Sequence, residues 1–243
     1  MVLKLLMNKV PIKIIKSCII RVRIRLEEKF MEFTKIDLDN WTRKEVFNHF
    51  IEQKTTYSMT SNLSITKAVK FAKDNNYDFY PLFIYSIVRV INSNYLYRMD
   101  FNEQGELGYY DSSVPFYSIF DSRTELTSHI DTPDAYTFAE FDRDYLSDVK
   151  KYRGTGKLFP KQPVPKNVVN ISMIPWVNYT EFNLNNNIDN YLLPTVTAGR
   201  FERAGSEIKL PVTFQIHHAV CDGYHTSQFF TKLQDILDNV DEL

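Results

Sequence analysis

The C-terminal part of the chain changes from a strand-like to a helix-like pattern of apolar positions. Residues 207–216 are apolar and rich in β-branched side chains, which predicts a strand. Residues 224–240 place apolar side chains at helical spacing, at Phe229, Phe230, Leu233, Ile236 and Leu237. Two adjacent histidines, His217 and His218, stand where this predicted strand ends.

The rest of the chain, from Met31 onward, predicts helices and short strands that do not alternate strictly. Apolar stripes predict helices over residues 41–50, 65–73, 82–91 and 137–152, the first capped by Asp39 or Asn40 and the second by Ser64. Alternating or β-branched runs predict strands over residues 57–65, 97–101, 107–110, 114–120 and 167–172. Strands that directly follow one another favour an α+β fold, a two-layer sandwich in which helices cover a mixed β-sheet.

Composition adds limits on size, partners and compartment. The chain has 243 residues, of which 44% are apolar and 14% aromatic, enough for one sizeable core. We therefore expect a single domain over residues 31–243. The net charge of −1 argues against non-specific binding of nucleic acid. The two cysteines, Cys18 and Cys221, provide no disulfide framework, which favours a cytoplasmic protein.

Residues 1–30 differ from the rest of the chain in charge. They hold eight basic and two acidic residues, a net charge of +6. Lysines interrupt every apolar run, so no membrane span or secretory core is predicted. We expect a basic N-terminal extension that is either not native or disordered. Residues 27–30 can be encoded by a purine-rich tract typical of a ribosome-binding site, so we predict that translation begins at Met31; a basic arm on a membrane surface is the alternative.

The histidine pair is the first candidate for chemistry. Neighbouring side chains on a strand point to opposite faces, so one histidine can face a site while the other packs. A histidine at such a junction is a candidate general base. The pattern alone leaves open which one acts, and a structural histidine is the competing interpretation. A metal site with Asp222 and His225 is disfavoured, because the pair diverges and Cys221 is the only thiol nearby.

The segment from His217 to Gly223 resembles a known signature. It reads His-His-Ala-Val-Cys-Asp-Gly, which is similar to the HHxxxDG motif of chloramphenicol acetyltransferases and of the wider coenzyme A-dependent acyltransferases. In that motif the second histidine is the catalytic base, here His218. The resemblance also gives Asp222 a structural role, as the partner of an arginine that supports the catalytic loop.

Two further segments match the same family, in the same order along the chain. Residues 40–43 resemble its Trp-x-Arg segment, which implies that Arg43 forms a desolvated fork with Asp222. Residues 170–176 resemble its Asn-x-Ser-x-x-Pro-Trp segment, which implies that Ser172 donates a hydrogen bond to a tetrahedral oxyanion. Thr197, on a later strand, is implied to contact the transition state through water.

The resemblance implies transfer of an acetyl group from acetyl-CoA to a hydroxyl of chloramphenicol, which inactivates the antibiotic. Direct attack in a ternary complex is expected, with no bound cofactor and no metal. The implied assembly is a homotrimer with active sites between subunits, with no membrane partner. The implied drug-binding residues are Phe50, Tyr57, Phe159, Phe182 and Leu184, and the implied coenzyme A-binding residues are Tyr80, Arg200 and Phe201.

Three positions depart from the family pattern. Thr127 aligns where relatives often have a phenylalanine, Asp78 where a lysine lies near the coenzyme phosphate, and Phe201 where a tyrosine stands on the coenzyme side. These changes bear on ligand affinity and not on the type of reaction.

Two other functions remain open at this point. A dihydrolipoamide acyltransferase shares the histidine motif, but that function calls for a lipoyl domain and a flexible linker upstream, which residues 1–30 do not provide. A non-catalytic binder of a hydrophobic ligand would have no need of a base opposite an oxyanion donor.

Overall fold

The computed structural model describes residues 32–184 and 190–243. The predictions for residues 1–30 and for a start at Met31 lie outside the described residues. Five α-helices occur within the described ranges: α1 Lys44–Glu52, α2 Thr66–Asp74, α3 Phe79–Asn92, α4 Phe138–Tyr152 and α5 Gly223–Asp238. Ten strands occur in the same ranges: β1 Phe33–Lys35, β2 Thr56–Ser64, β3 Met99–Phe101, β4 Leu107–Tyr110, β5 Val114–Asp121, β6 Leu126–Asp131, β7 Val168–Met173, β8 Thr195–Ala198, β9 Glu202–Ala204 and β10 Glu207–His217.

The strands form a large mixed sheet and a small antiparallel one. The order in the large sheet is β2-β10-β8-β7-β5-β6, and β9 pairs with β10. Strand β7 runs parallel to both β5 and β8, whereas the other pairs are antiparallel. The small sheet has the order β1-β4-β3. The predicted α+β fold with a mixed sheet covered by helices is confirmed.

Helix α3 lies at the centre of the helical layer. Ten of its fourteen residues are buried, as its apolar sequence predicts. It packs against α2, α4 and α5 and onto β5 and β7. Strand β10 is buried along most of its length. Its even-numbered apolar residues join this core, and the loop over residues 179–184 covers its other face through hydrogen bonds to Thr213 and Gln215. The sheet thus holds β10, and the turn that follows it, in a fixed position.

Two predicted helix caps are wrong. Helix α1 begins at Lys44 with Arg43 at the N-cap position and no side-chain cap. Asp39 and Asn40 instead lie in the preceding turn, where the Asp37 carboxylate accepts hydrogen bonds from the Asp39 backbone N–H and the Asn40 side chain.

Ser64 does not cap α2 either, because it is the last residue of β2 and the N-cap position belongs to Ile65.

Candidate active site

Hydroxyl side chains form a row across four neighbouring strands. The strand register places Ser172 beside Thr197, Thr197 beside Thr213, and Thr213 beside Thr60. Residues paired in this way point to the same face of a sheet. Ser172 Oγ lies 3.2 Å from Thr197 Oγ1, and Thr60 Oγ1 lies 2.7 Å from Thr213 Oγ1. We call these four residues the hydroxyl row.

Ser172, at one end of the hydroxyl row, lies where two cavities meet. The larger cavity, about 700 Å³, is also lined by Tyr80, Thr127 and Trp176. The smaller cavity, about 260 Å³, is also lined by Leu184. Largely apolar walls with a few placed polar groups are typical of small-molecule sites.

The two histidines have different surroundings. His217 is only 2% exposed, and its Nδ1 accepts a hydrogen bond from the Ala219 backbone N–H at 3.1 Å. Burial lowers the pKa of His217, and the neighbouring His218 lowers it further. His217 is therefore a neutral, packed side chain.

The His218 ring is half-buried between two aromatic rings. It stacks on Phe50 with ring centroids 3.8 Å apart and an interplanar angle of 17°, and the Tyr57 ring is 5.0 Å away. Its backbone N–H donates to the Thr55 carbonyl at 2.8 Å. Its Nδ1 is buried and has no hydrogen-bond partner within the described ranges. The ring is thus fixed in place with its Nε2 edge as the accessible side.

Asp222 ties the turn after His218 to two other elements. Its Oδ2 accepts a hydrogen bond from Arg43 Nη1 at 3.1 Å, and its Oδ1 lies 2.8 Å from His225 Nδ1. Burial alone would raise the pKa of Asp222, but the hydrogen bonds from Arg43 and His225 outweigh it and lower the pKa. Its Oδ1 also caps α5 by accepting from the Tyr224 backbone N–H.

The contact between Arg43 and Asp222 is single and not the predicted fork. Arg43 Nε and Nη2 are buried and find no partner among the described residues. Arg43 occupies the N-cap position of α1, so its side chain reaches Asp222 from the N-terminal end of that helix. The contact is a single hydrogen bond because Asp222 uses Oδ2 for Arg43 and Oδ1 for His225.

One chain does not bring His218 and Ser172 together. Ser172 is two strands away from the position of Thr213 in β10, and His218 follows Thr213 by five residues. At about 3.3 Å per residue and about 4.8 Å per strand, their Cα atoms are about 19 Å apart. The predicted site residues therefore fall into two groups.

The predicted drug-binding residues divide between the two groups. Phe50 and Tyr57 lie against His218, whereas Leu184 shares the smaller cavity with Ser172. Phe159 packs beside His129, which also lines that cavity. Phe182 packs against Tyr179, whose hydroxyl donates to the Thr197 carbonyl at 2.7 Å.

Of the predicted coenzyme residues, Tyr80 lies in the wall of the larger cavity. Arg200 is held beside the loop of Trp176, because its backbone N–H donates to the Val177 carbonyl at 2.8 Å. Phe201 is 49% exposed next to it and, like Arg200, is not part of the cavity wall. Asp78 stands at the N-cap position of α3 without capping it.

Sequence reasoning missed two residues of the site. Tyr179 joins the hydroxyl row through Thr197, and His129 lines both cavities. Neither lies in a recognisable motif. Residues 32–184 and 190–243 contain no group of three His, Cys, Asp or Glu side chains placed to hold a metal ion. None of the helices in those ranges is long and apolar enough to cross a bilayer.

Comparison with solved structures gives the class of the fold. A chloramphenicol acetyltransferase superposes with a TM-score of 0.77 at 22% identity, covering 85% of this chain and 100% of that one. The dihydrolipoamide acetyltransferase of Azotobacter vinelandii gives a TM-score of 0.63 at 12% identity, covering 81% of this chain and 88% of that one. This is an acyltransferase fold.

The family follows from sequence. The profile of chloramphenicol acetyltransferase matches residues 31–234. A chloramphenicol acetyltransferase of Staphylococcus aureus is 51% identical over 209 residues, which are 86% of this chain and 97% of that protein. The chain belongs to the chloramphenicol acetyltransferase family and is an acyltransferase. The resemblance read from the three motifs is confirmed.

Proposed function

We propose that the protein transfers the acetyl group of acetyl-CoA to a hydroxyl of chloramphenicol in one step and so inactivates the drug. His218 Nε2 takes the proton of the hydroxyl as its oxygen bonds to the thioester carbon. The C–S bond then breaks, and the proton passes from His218 to the leaving thiolate. Ser172 Oγ donates a hydrogen bond to the oxyanion between these two events, with Thr197 beside it.

The position of Ser172 carries this proposal. Its hydroxyl stands at the junction of two cavities, in a chain of this family. Two substrates that enter by separate cavities meet at such a junction, as direct transfer requires. No cofactor takes part in the proposed step, and acetyl-CoA is a cosubstrate.

The surroundings of His218 support its role as the base. Because Nδ1 is enclosed, Nε2 is the nitrogen that an incoming hydroxyl can reach. The stacked Phe50 ring fixes the plane of the imidazole. Arg43 and Asp222 hold the turn behind it, which is a positioning role.

The distance between the two groups leads us to propose active sites between subunits of a homotrimer. With Cα atoms about 19 Å apart, His218 and Ser172 of one chain cannot act on the same carbonyl, so His218 of one copy would face Ser172 of another. The aromatic pair Phe50 and Tyr57 would then close the acceptor cavity of that neighbour.

A buried free thiol at Cys221 supports the expected cytoplasmic location.

Subunit mixing tests this assembly directly. H218Q and S172A are expressed separately and together, and acetyl transfer to chloramphenicol is followed by thiol release. If the sites lie between subunits, random mixing restores about a quarter of wild-type activity, because one junction in four unites an intact base with an intact donor. Co-expression of H218Q with the H218Q/S172A double variant is the control and should restore none. Mixed activity no higher than that of the separate variants would contradict the proposal.

The choice of acceptor tests the reaction itself. Wild-type protein and acetyl-CoA should release thiol with chloramphenicol. Because a thiol acceptor loses one thiol for each CoA thiol that is released, transfer to dihydrolipoamide is followed by chromatography of the acetylated product. Transfer to dihydrolipoamide but not to chloramphenicol would reassign the acceptor, and no transfer to any alcohol or thiol would favour a non-catalytic binder.

A further inference from the structure

His129 lies in the same row of the large sheet as Ser172. Strand β6 pairs His129 with Ser118 of β5. The parallel pairing of β5 with β7 ends at Tyr117 and Ile171, so the next residues, Ser118 and Ser172, lie side by side. The Cα atoms of His129 and Ser172 are therefore two strand spacings, about 10 Å, apart, and their side chains share one face. Ser118 stands between them, so the imidazole and the Ser172 hydroxyl border one stretch of the same face.

His129 and Ser172 are also the two residues that line both cavities. Two neighbours of His129 are residues that the resemblance implies for the drug: Leu184 shares the smaller cavity, and the Phe159 ring lies 6.1 Å from the imidazole. Tyr80, which the resemblance implies for coenzyme A, lines the larger cavity alone. The imidazole therefore stands where the two cavities meet, close to two residues that the resemblance implies for the drug.

The state of the imidazole suits recognition of a neutral group. Its ring is half-buried and stacks on Phe116 with centroids 5.8 Å apart. Burial lowers the pKa of His129, so the neutral form dominates at pH 7. A neutral imidazole offers one donor and one acceptor. Among the described residues neither ring nitrogen has a hydrogen-bond partner, which leaves both for a ligand.

We propose that His129 is a specificity-determining residue, whose imidazole hydrogen bonds the hydroxyl or amide group next to the alcohol that is acetylated. This inference rests on the proposed function. It goes beyond the base and the oxyanion donor, because it assigns recognition of the acceptor to a strand on the far side of Ser172.

Three variants separate hydrogen bonding from packing. H129F keeps a ring against Phe116 and Phe159 but removes both polar atoms. H129Q keeps polar atoms without a ring, and H129M matches glutamine in length without them. L126N is the control, because Leu126 lies on the same strand and is 53% exposed. The Michaelis constants for chloramphenicol and acetyl-CoA and the turnover number are measured for each.

The expected result is a rise of about tenfold in KM for chloramphenicol with H129F and H129M, since a buried polar group of the drug loses its partner. H129Q should stay within about threefold of wild type, with KM for acetyl-CoA unchanged in all variants. If H129F does not fold, the comparison of H129Q with H129M decides. Equal KM values for chloramphenicol in H129Q and H129M, or a weaker effect of H129F than of H129Q, would overturn the inference.

The same assay keeps this inference separate from the proposed function. A wild-type protein that acetylates no chloramphenicol refutes the function, whereas an active wild type with an unaltered H129F refutes only the role of His129.

Discussion

Replacing Asp222 should cost more stability than replacing its partner Arg43. The Arg43 side chain is 16% exposed and that of Asp222 is 37% exposed. The variant D222N removes the negative charge while its amide oxygen can still cap α5. It leaves a guanidinium that is mostly buried and already has two nitrogens without partners in the described ranges. The variant R43M instead leaves a carboxylate that water reaches and that His225 still contacts.

The size of the difference follows from the two exposures. Breaking a buried ion pair costs about 3–5 kcal/mol, because a charge stays uncompensated, whereas an exposed pair contributes about 0–1 kcal/mol. Because 37% of the Asp222 side chain is exposed, solvent screening lowers the cost of breaking this pair to the bottom of the range for buried pairs. We expect about 3 kcal/mol for D222N and about 1 kcal/mol for R43M. Turnover should fall in both, since the turn behind His218 loosens.

Urea unfolding at pH 7 measures both losses. All variants must be compared at one protein concentration, because subunit association contributes to stability. D74N is the control: it removes the Lys70–Asp74 pair, whose side chains are 76% and 53% exposed, and should leave the urea midpoint unchanged. A loss for R43M equal to or larger than that for D222N would refute the reasoning.

Two further predictions concern turnover and pH. S172A should lower kcat by about a hundredfold or more and leave both KM values nearly unchanged; a change in KM alone would contradict its role as oxyanion donor. Burial raises the pKa of Asp100 from 3.8 to about 6. Between these two pH values the folded state keeps a proton that the unfolded chain releases, so the free energy of unfolding falls as pH rises from 3.8 to about 6. D100N should therefore gain up to about 3 kcal/mol at pH 7, a gain that shrinks as pH falls toward 4. Urea unfolding across this range checks it, and a gain independent of pH would count against it.

Sequence patterns predicted the parts of the fold that local chemistry determines. The apolar run in α3 predicts a buried helix, and the helix predicted over residues 137–152 is α4. The strand, turn and helix around His218 were likewise visible, because β10 and α5 each have a strong period of their own. The resemblance to the family then predicts His218, and not His217, as the base.

Features that depend on pairing over a distance were missed. Strand β6 was not predicted, since its sequence from Leu126 to Asp131 mixes polar and apolar residues and becomes a strand through its pairing with β5. His129 was missed with it. The cap predicted for α1 failed for a related reason: the Asp37 carboxylate accepts the hydrogen bonds of the turn before α1, a competition that residue preference does not reveal.

The alignment of His129, Ser118 and Ser172 across three strands makes the site sensitive to insertions in a particular way. An extra codon in the hairpin turn after Asp121 leaves the pairing of β5 with β6 intact. The same codon placed inside β6 would turn the imidazole toward the opposite face. Under the role proposed for His129, point substitutions there change the ligand that is accepted, whereas reading-frame-preserving insertions in this strand remove that wall of the site altogether.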